Sequence, residues 1–135
     1  MKILIGLATA LVILGATKGL KLDLEAPHMV FLPISDPRSG FRLTVTVRVT
    51  AELEGEPDDP EKYYCLDEEW DWGDDRNPSL HEVDCDPFEP GMEITRRFSS
   101  SNQYKYPGTY TIRLRLKNGR KTVISGTAKV QVRGG

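Results

Sequence analysis

Cysteine and histidine are scarce in this chain of 135 residues, at two each. The cysteines, Cys65 and Cys85, do not form a CxxC pair, and only His28 and His81 could join them. That argues against a thiolate–imidazole metal site and against a dithiol redox centre. The sequence also lacks G-x-S-x-G, H-E-x-x-H and any glycine-rich phosphate loop, so the common hydrolase and nucleotide-binding signatures are missing. Neither charge sign dominates: 18 basic residues face 20 acidic ones, and the net charge is -2. That is the wrong sign for a nucleic-acid binder and too mild for an acidic tail. Beyond residue 20 no stretch has helical periodicity of useful length, which excludes a helical bundle. No internal repeat or low-complexity linker divides the chain, so residues 22–135 are expected to form one domain.

What is present begins with a leader. Met1-Lys2 is followed by an apolar run from Ile3 to Leu14, and Gly15-Ala16-Thr17-Lys18-Gly19 supplies small residues. This is the charge, apolar core and cleavage region of a secretory signal, expected over residues 1–19 with the cut between Ala16 and Gly19. The run is short for a bilayer span, which needs about 20 residues. An uncleaved N-terminal anchor is the alternative. After removal of Lys2 and Lys18 the balance is 16 basic to 20 acidic residues, a net of -4. The expected location is therefore secreted or periplasmic, with no stable membrane span once the leader is gone. In such an oxidising compartment a cysteine pair becomes a disulfide.

The rest of the chain reads as strands and turns. Ala26 to Ile34 suits an edge strand between prolines, and residues 36–40 are turn chemistry. Phe41, Leu43, Val45, Val47 and Val49 alternate with Arg42, Thr44, Thr46, Arg48 and Thr50, the period of a half-buried strand. Further strands are expected over 63–72, 80–85 and 92–98, with Ser99-Ser100-Ser101-Asn102 as a polar connection. Tyr110, Ile112, Leu114 and Leu116 alternate again. Asn118-Gly119 then signals a hairpin, both residues accepting positive φ, and Val123 to Val132 returns. The basic residues Arg113, Arg115, Lys117, Arg120 and Lys121 read as the wet face of this hairpin, the alternative being a phosphate-binding stripe. About seven short antiparallel strands with regular turns predict an all-β sandwich or barrel.

Cys65 lies ten residues before Asp75 and Cys85 ten after. A hairpin reversing at Asp75 sets them opposite one another, within reach of a bridge, and sets His81 near Glu69. Such a loop closure contributes roughly 3 kcal/mol in the chain-entropy account.

Two segments carry a family resemblance. Trp70-Asp71-Trp72-Gly73-Asp74-Asp75 resembles the W-D-F-G-D-G signature of PKD domains. Further on, Tyr104-Lys105-Tyr106-Pro107-Gly108-Thr109-Tyr110-Thr111-Ile112 resembles that family's Y-x-x-P-G-x-Y-x-V segment. With their strands the two cover about residues 26–132. The resemblance implies an immunoglobulin-like sandwich of the PKD type, a non-catalytic module that contacts protein or polysaccharide, and no cofactor. The residues themselves suggest why these types recur. Trp70 and Trp72 share a strand face and can both enter the core. Gly73 lets the backbone leave sharply. Asp71 and Asp74 can accept loop amides. Pro107-Gly108 fits the centre of a type II turn. Tyr104 or Tyr110 can make a corner-type hydroxyl bond. The chain departs from the pattern at Asn102, where the family commonly has His, and at Asp75, where it has Gly.

Candidate contact residues are the loop aromatics Tyr63, Tyr64, Phe88 and Tyr106. The dense carboxylates Asp67, Glu68, Glu69, Asp71, Asp74 and Asp75 leave two alternatives open. One is a small hydrolase working with an acid and a base. The other is a calcium site through Asp71, Asp74 and Asp75, with Asp84 and Asp86 across the hairpin.

Overall fold

The structure is a computed structural model in which residues 19–33 and 43–134 are described. The expected signal segment before Gly19, the turn over 36–40, and Phe41 and Arg42 lie outside the described residues. Eight strands and one short helix follow in order. They are β1 Lys21–Glu25, β2 Met29–Phe31, β3 Val45–Glu54, α1 Pro60–Tyr63, β4 Asp67–Asp71, β5 Ser79–His81, β6 Arg97–Tyr104, β7 Gly108–Asn118 and β8 Lys121–Arg133. They form two sheets, one of order β1-β3-β6 and one of order β2-β8-β7-β4-β5. The protein is thus an all-β, immunoglobulin-like sandwich, as expected.

The alternating sequences put one side of each strand into the interior. Along β3, Val47, Val49, Ala51 and Leu53 are buried and Thr46, Arg48, Thr50, Glu52 and Glu54 exposed. From the facing sheet come Ile112, Leu114 and Leu116 of β7 and Val130 and Val132 of β8, each essentially inaccessible. Trp70 and Trp72 fill the space beside them, stacked with ring centroids 5.2 Å apart and planes 9° apart. Burial of rings this size is a large part of the driving force in so small a core.

Several expectations need correction. Among the described residues the strands number eight, close to the expected seven, but they are not all antiparallel, because β2 pairs with β8 in parallel. The chain leaves the small sheet after β1, passes Ala26-Pro27-His28, and joins the large sheet, where the His28 carbonyl accepts the Gln131 amide at 2.9 Å. β1 is too short to announce itself, yet it pairs with β3 over five residues, Leu22 opposite Leu53 and Leu24 opposite Ala51. The segment expected to be a strand over 92–98 is irregular up to Arg97, whereas Ser99 to Asn102 is the middle of β6. Serine disfavours strands only weakly, and an unbroken ladder on β3, from Val45–Tyr104 to Glu52–Arg97, overrides it.

The turns differ as well. At the β7–β8 hairpin the two-residue loop is Gly119-Arg120, closed by the Asn118–Lys121 pair. Only Gly119 has positive φ, +66°, the first-position glycine of a II′ arrangement, so Asn118 is an ordinary strand residue. Gly108 does not have positive φ and opens β7, so Pro107-Gly108 is not the centre of a type II turn. The hairpin ladder is offset by one from the symmetric register: Trp70 faces Ser79, Glu69 faces Leu80, and Glu68 faces His81. His81 therefore lies across from Glu68 rather than Glu69. The return segment regains the symmetric offset further on, where the Val83 amide donates to Asp67 Oδ1 at 3.0 Å and Cys85 bonds Cys65. The expected disulfide is formed, with Cα atoms 6.1 Å apart.

Candidate functional site

The two family-like segments meet at one end of the sandwich. β4 ends at Asp71, Trp72 is buried, and the chain turns at Gly73 with φ +72°. A Cβ there would sit 2.6 Å from the Thr111 carbonyl oxygen, so the turn requires glycine twice over, for its conformation and for its space. Asp71 Oδ1 accepts the Gly73 amide at 3.0 Å, the Asx geometry that fixes a tight turn. Asp75 follows at φ +67°, a conformation glycine adopts freely and aspartate tolerates better than most residues.

Asp74 points the other way, toward β6. Its Oδ2 accepts Arg76 Nε at 3.0 Å, a terminal Arg76 nitrogen, and Asn102 Nδ2 at 2.9 Å. Arg76 also donates to Asn102 Oδ1. This triangle of Asp74, Arg76 and Asn102 ties the loop to the small sheet. Burial by itself raises the Asp74 pKa, but the hydrogen bonds from Arg76 and Asn102 and the Arg76 charge outweigh it and hold the carboxyl below its ordinary range. The same bond to Asp74 raises the pKa of Arg76.

Three tyrosines complete the end. The buried Tyr104 hydroxyl donates to the Trp72 carbonyl at 2.8 Å and so links the sheets. Burial is the main cause that pushes its phenol up to about 12. Tyr110 packs against it with ring centroids 4.2 Å apart and planes tilted by 34°, and the Tyr110 hydroxyl donates to the Tyr106 carbonyl at 2.6 Å. That bond, four residues upstream, is the corner-type contact expected of one tyrosine; here both make a backbone bond. Burial raises Tyr110 too. Tyr106 itself is 60% exposed. Together with Gly73, Asp75, Lys105 and Gln103 these residues line an open groove of about 410 Å³, a size suited to a small ligand or one segment of a larger one.

The four candidate aromatics do not form one surface. Tyr106 is at the start of β7, whereas Tyr63, Tyr64 and Phe88 gather near its far end. There Asn118 donates to the Lys62 carbonyl, and Tyr64 packs edge-on against Phe88 at 5.1 Å beside the disulfide. Eleven residues of β7 separate the two groups, roughly 33 Å at the rise of a strand. Tyr64 also donates to the Asp86 carbonyl, and Tyr63 is half-buried under Lys62 Nζ at 5.6 Å. These three are thus engaged in local contacts.

The hairpin carboxylates are mostly engaged. Asp67 holds the Val83 amide, Glu68 accepts Trp70 Nε1 at 3.0 Å, and Glu69 takes Arg115 and Lys117 at 3.0 Å each. The bond from Lys117 is the chief reason the Glu69 carboxyl sits below its ordinary range. Two of the five clustered basic residues are thereby neutralised on the outer face of the large sheet. The calcium candidates do not converge, since Asp71 turns to Gly73, Asp74 to Arg76, and Asp75 is exposed. Among the described residues no three or more His, Cys, Asp or Glu side chains are grouped to hold a metal ion. Arg76 and Asn102 were not candidates from the sequence. The only signal was that Asn102 stands where the resembled family has His.

Comparison with known proteins returns similar solved structures and no family. Similar solved structures include the crystal structure of the CARDB domain of a Pyrococcus furiosus protein in complex with di-metal ions. It is 11% identical, has a TM-score of 0.48, and the match covers 87% of this chain and 94% of that one. The solution structure of the same domain matches with 12% identity and a TM-score of 0.45, over 84% and 94%. No family model matches the chain, and no curated protein matches it.

Proposed function

We propose that this chain is an exported, non-catalytic binding module of the PKD type, freed of residues 1–19, that contacts protein or carbohydrate through the groove at its Tyr106 end. The supporting observation is the pairing of an exposed tyrosine with a guanidinium held in place. Tyr106 offers a flat apolar face, and Arg76 is oriented by Asp74 and Asn102 while its side chain stays 62% exposed. An aromatic platform beside fixed polar groups suits a sugar ring, whose C–H face stacks while its hydroxyls accept and donate. The disulfide is consistent with an oxidising compartment. Among the described residues no helix is long and apolar enough to cross a membrane.

The hydrolase alternative is less well supported. It needs one carboxyl kept protonated and one free to act as base, and the hairpin carboxylates Asp67, Glu68, Glu69, Asp71 and Asp74 are all bonded within the fold. Affinity electrophoresis against a panel of soluble polysaccharides, with a pull-down from the exporting cell, tests the reading. Tyr106→Ala is expected to weaken whatever binding is found by tenfold or more while leaving the fold intact. Binding that ignores Tyr106→Ala sinks the groove assignment. A hydrolysis that disappears in folded Asp71→Asn or Asp74→Asn protein sinks the non-catalytic reading.

A further inference from the structure

Among the described residues the two sheets leave four strand edges: β1 and β6 in the small sheet, β2 and β5 in the large one. Three of them carry the features that keep edges from pairing with other chains. β2 is three residues long between Pro27 and Pro33, and β5 is three residues long just after Pro78. β1 alternates Lys21, Asp23 and Glu25 along its exposed side. β6 has none of these. It runs for eight residues, contains no proline or lysine, keeps its ladder to β3 without a bulge, and bears a single charge, Arg97, at its first position.

The direction of its free backbone groups follows from two contacts. The Leu53 amide donates to the Arg96 carbonyl at 2.8 Å, so in this antiparallel ladder the even-numbered residues bond to β3 and the odd-numbered ones point away. Independently, Arg76 reaches the Gln103 carbonyl from outside the sheet at 3.5 Å. Arg97, Ser99 and Ser101 therefore turn an N–H and a C=O away from β3. No backbone bond from another described residue reaches them, and their side chains are exposed.

We infer that two copies of this chain pair antiparallel along β6, joining their small sheets into one continuous sheet. The charges favour a second copy as the occupant. Pairing centred on Ser99 sets Ser99 against Ser99 of the other copy and Arg97 against Ser101, so no like charges face each other. It leaves Gln103 to Arg76, and each odd-numbered pair exchanges two backbone bonds. The contact is isologous, closes on itself and cannot propagate. A contact limited to one strand edge is small, which places the dimer among weak, concentration-dependent associations.

Sedimentation velocity over a concentration series reaching about 1 mM tests the inference, the range in which an affinity of about 4 kcal/mol is visible. The wild type is expected to move from monomer to dimer. Ser101→Pro removes an outward N–H, and Ser99→Lys sets two ammonium groups face to face; both are expected to stay monomeric with an unchanged near-ultraviolet tryptophan spectrum. Ser99→Cys is expected to give a covalent dimer on mild oxidation, which reads the register even if another variant fails to fold. A wild type monomeric throughout the series overturns the inference. So does a dimer that persists in folded Ser99→Lys protein, or an edge found closed by an unrelated extended segment.

Discussion

Tyr104 offers a quantitative test because one hydroxyl links the two sheets and titrates in an accessible range. In the unfolded chain its phenol titrates near 10, and in the fold it is pushed up to about 12. The fold thus favours the protonated phenol. The stabilisation is fully present below about pH 10 and is lost as pH rises from about 10 through about 12. Two pH units correspond to about 3 kcal/mol at most. Tyr104→Phe removes both the titration and the bond to the Trp72 carbonyl, leaving that buried acceptor without its donor at a cost of roughly 1–3 kcal/mol. At neutral pH the wild type is expected to be the more stable by that amount. Above about pH 10 the gap should narrow, and near pH 12 it should vanish or reverse. Urea unfolding followed by fluorescence of the buried Trp70–Trp72 pair, for both proteins over a pH series, gives the difference directly. Groups distant from Tyr104 contribute equally in both proteins and cancel in that difference. A stability gap independent of pH between about 9 and 12 would refute the buried, protonated Tyr104.

Other outcomes follow from single contacts. Replacing Cys65 and Cys85 together by alanine should lower stability by about 3 kcal/mol, while the unreduced wild type should show no reactive thiol; full reactivity with a thiol reagent would contradict the bridge. Gly73→Ala combines left-handed φ with a Cβ 2.6 Å from the Thr111 carbonyl, so a loss of at least about 2 kcal/mol is expected in denaturant melts; a loss below about 0.5 kcal/mol would contradict this turn. Glu69→Gln should cost roughly 1–2 kcal/mol at neutral pH through the lost charge on Arg115 and Lys117. Since the folded pKa of Glu69 is depressed, its contribution is present above about pH 4 and fades as pH falls through the lower folded value. The variant should accordingly show a shallower acid limb, and an acid limb as steep as the wild type's would contradict the clamp.

Much of the site was hidden from the sequence for a definite reason. Aspartate at position 74 is legible as a turn residue, but whether it bonds amides or a side chain depends on Arg76 and on Asn102, which is 28 residues away. The loop aromatics look alike in sequence, and only the length of β7 shows that Tyr106 lies at one end and Tyr63, Tyr64 and Phe88 at the other. Positive φ at Asp75 and its absence at Asn118 and Gly108 reverse what residue preferences suggest, because each turn must meet strands already placed by the sandwich.

The sequence by itself determined the alternating faces of β3, β7 and β8, the burial of Trp70 and Trp72 on one side, the Cys65–Cys85 bridge, and hence a two-layer all-β fold. These are local properties: side chains alternate every residue along a strand, and apolar sides must leave water. Beyond the β4–β5 and β7–β8 hairpins, the tertiary structure alone decided which strands are neighbours. It placed β2 parallel to β8, shifted the β4–β5 ladder by one, drew a serine-rich segment into β6, and left that strand's outer edge without a partner strand among the described residues. Pairing partners are chosen by closure of the whole sandwich, a non-local condition that no short stretch of residues encodes.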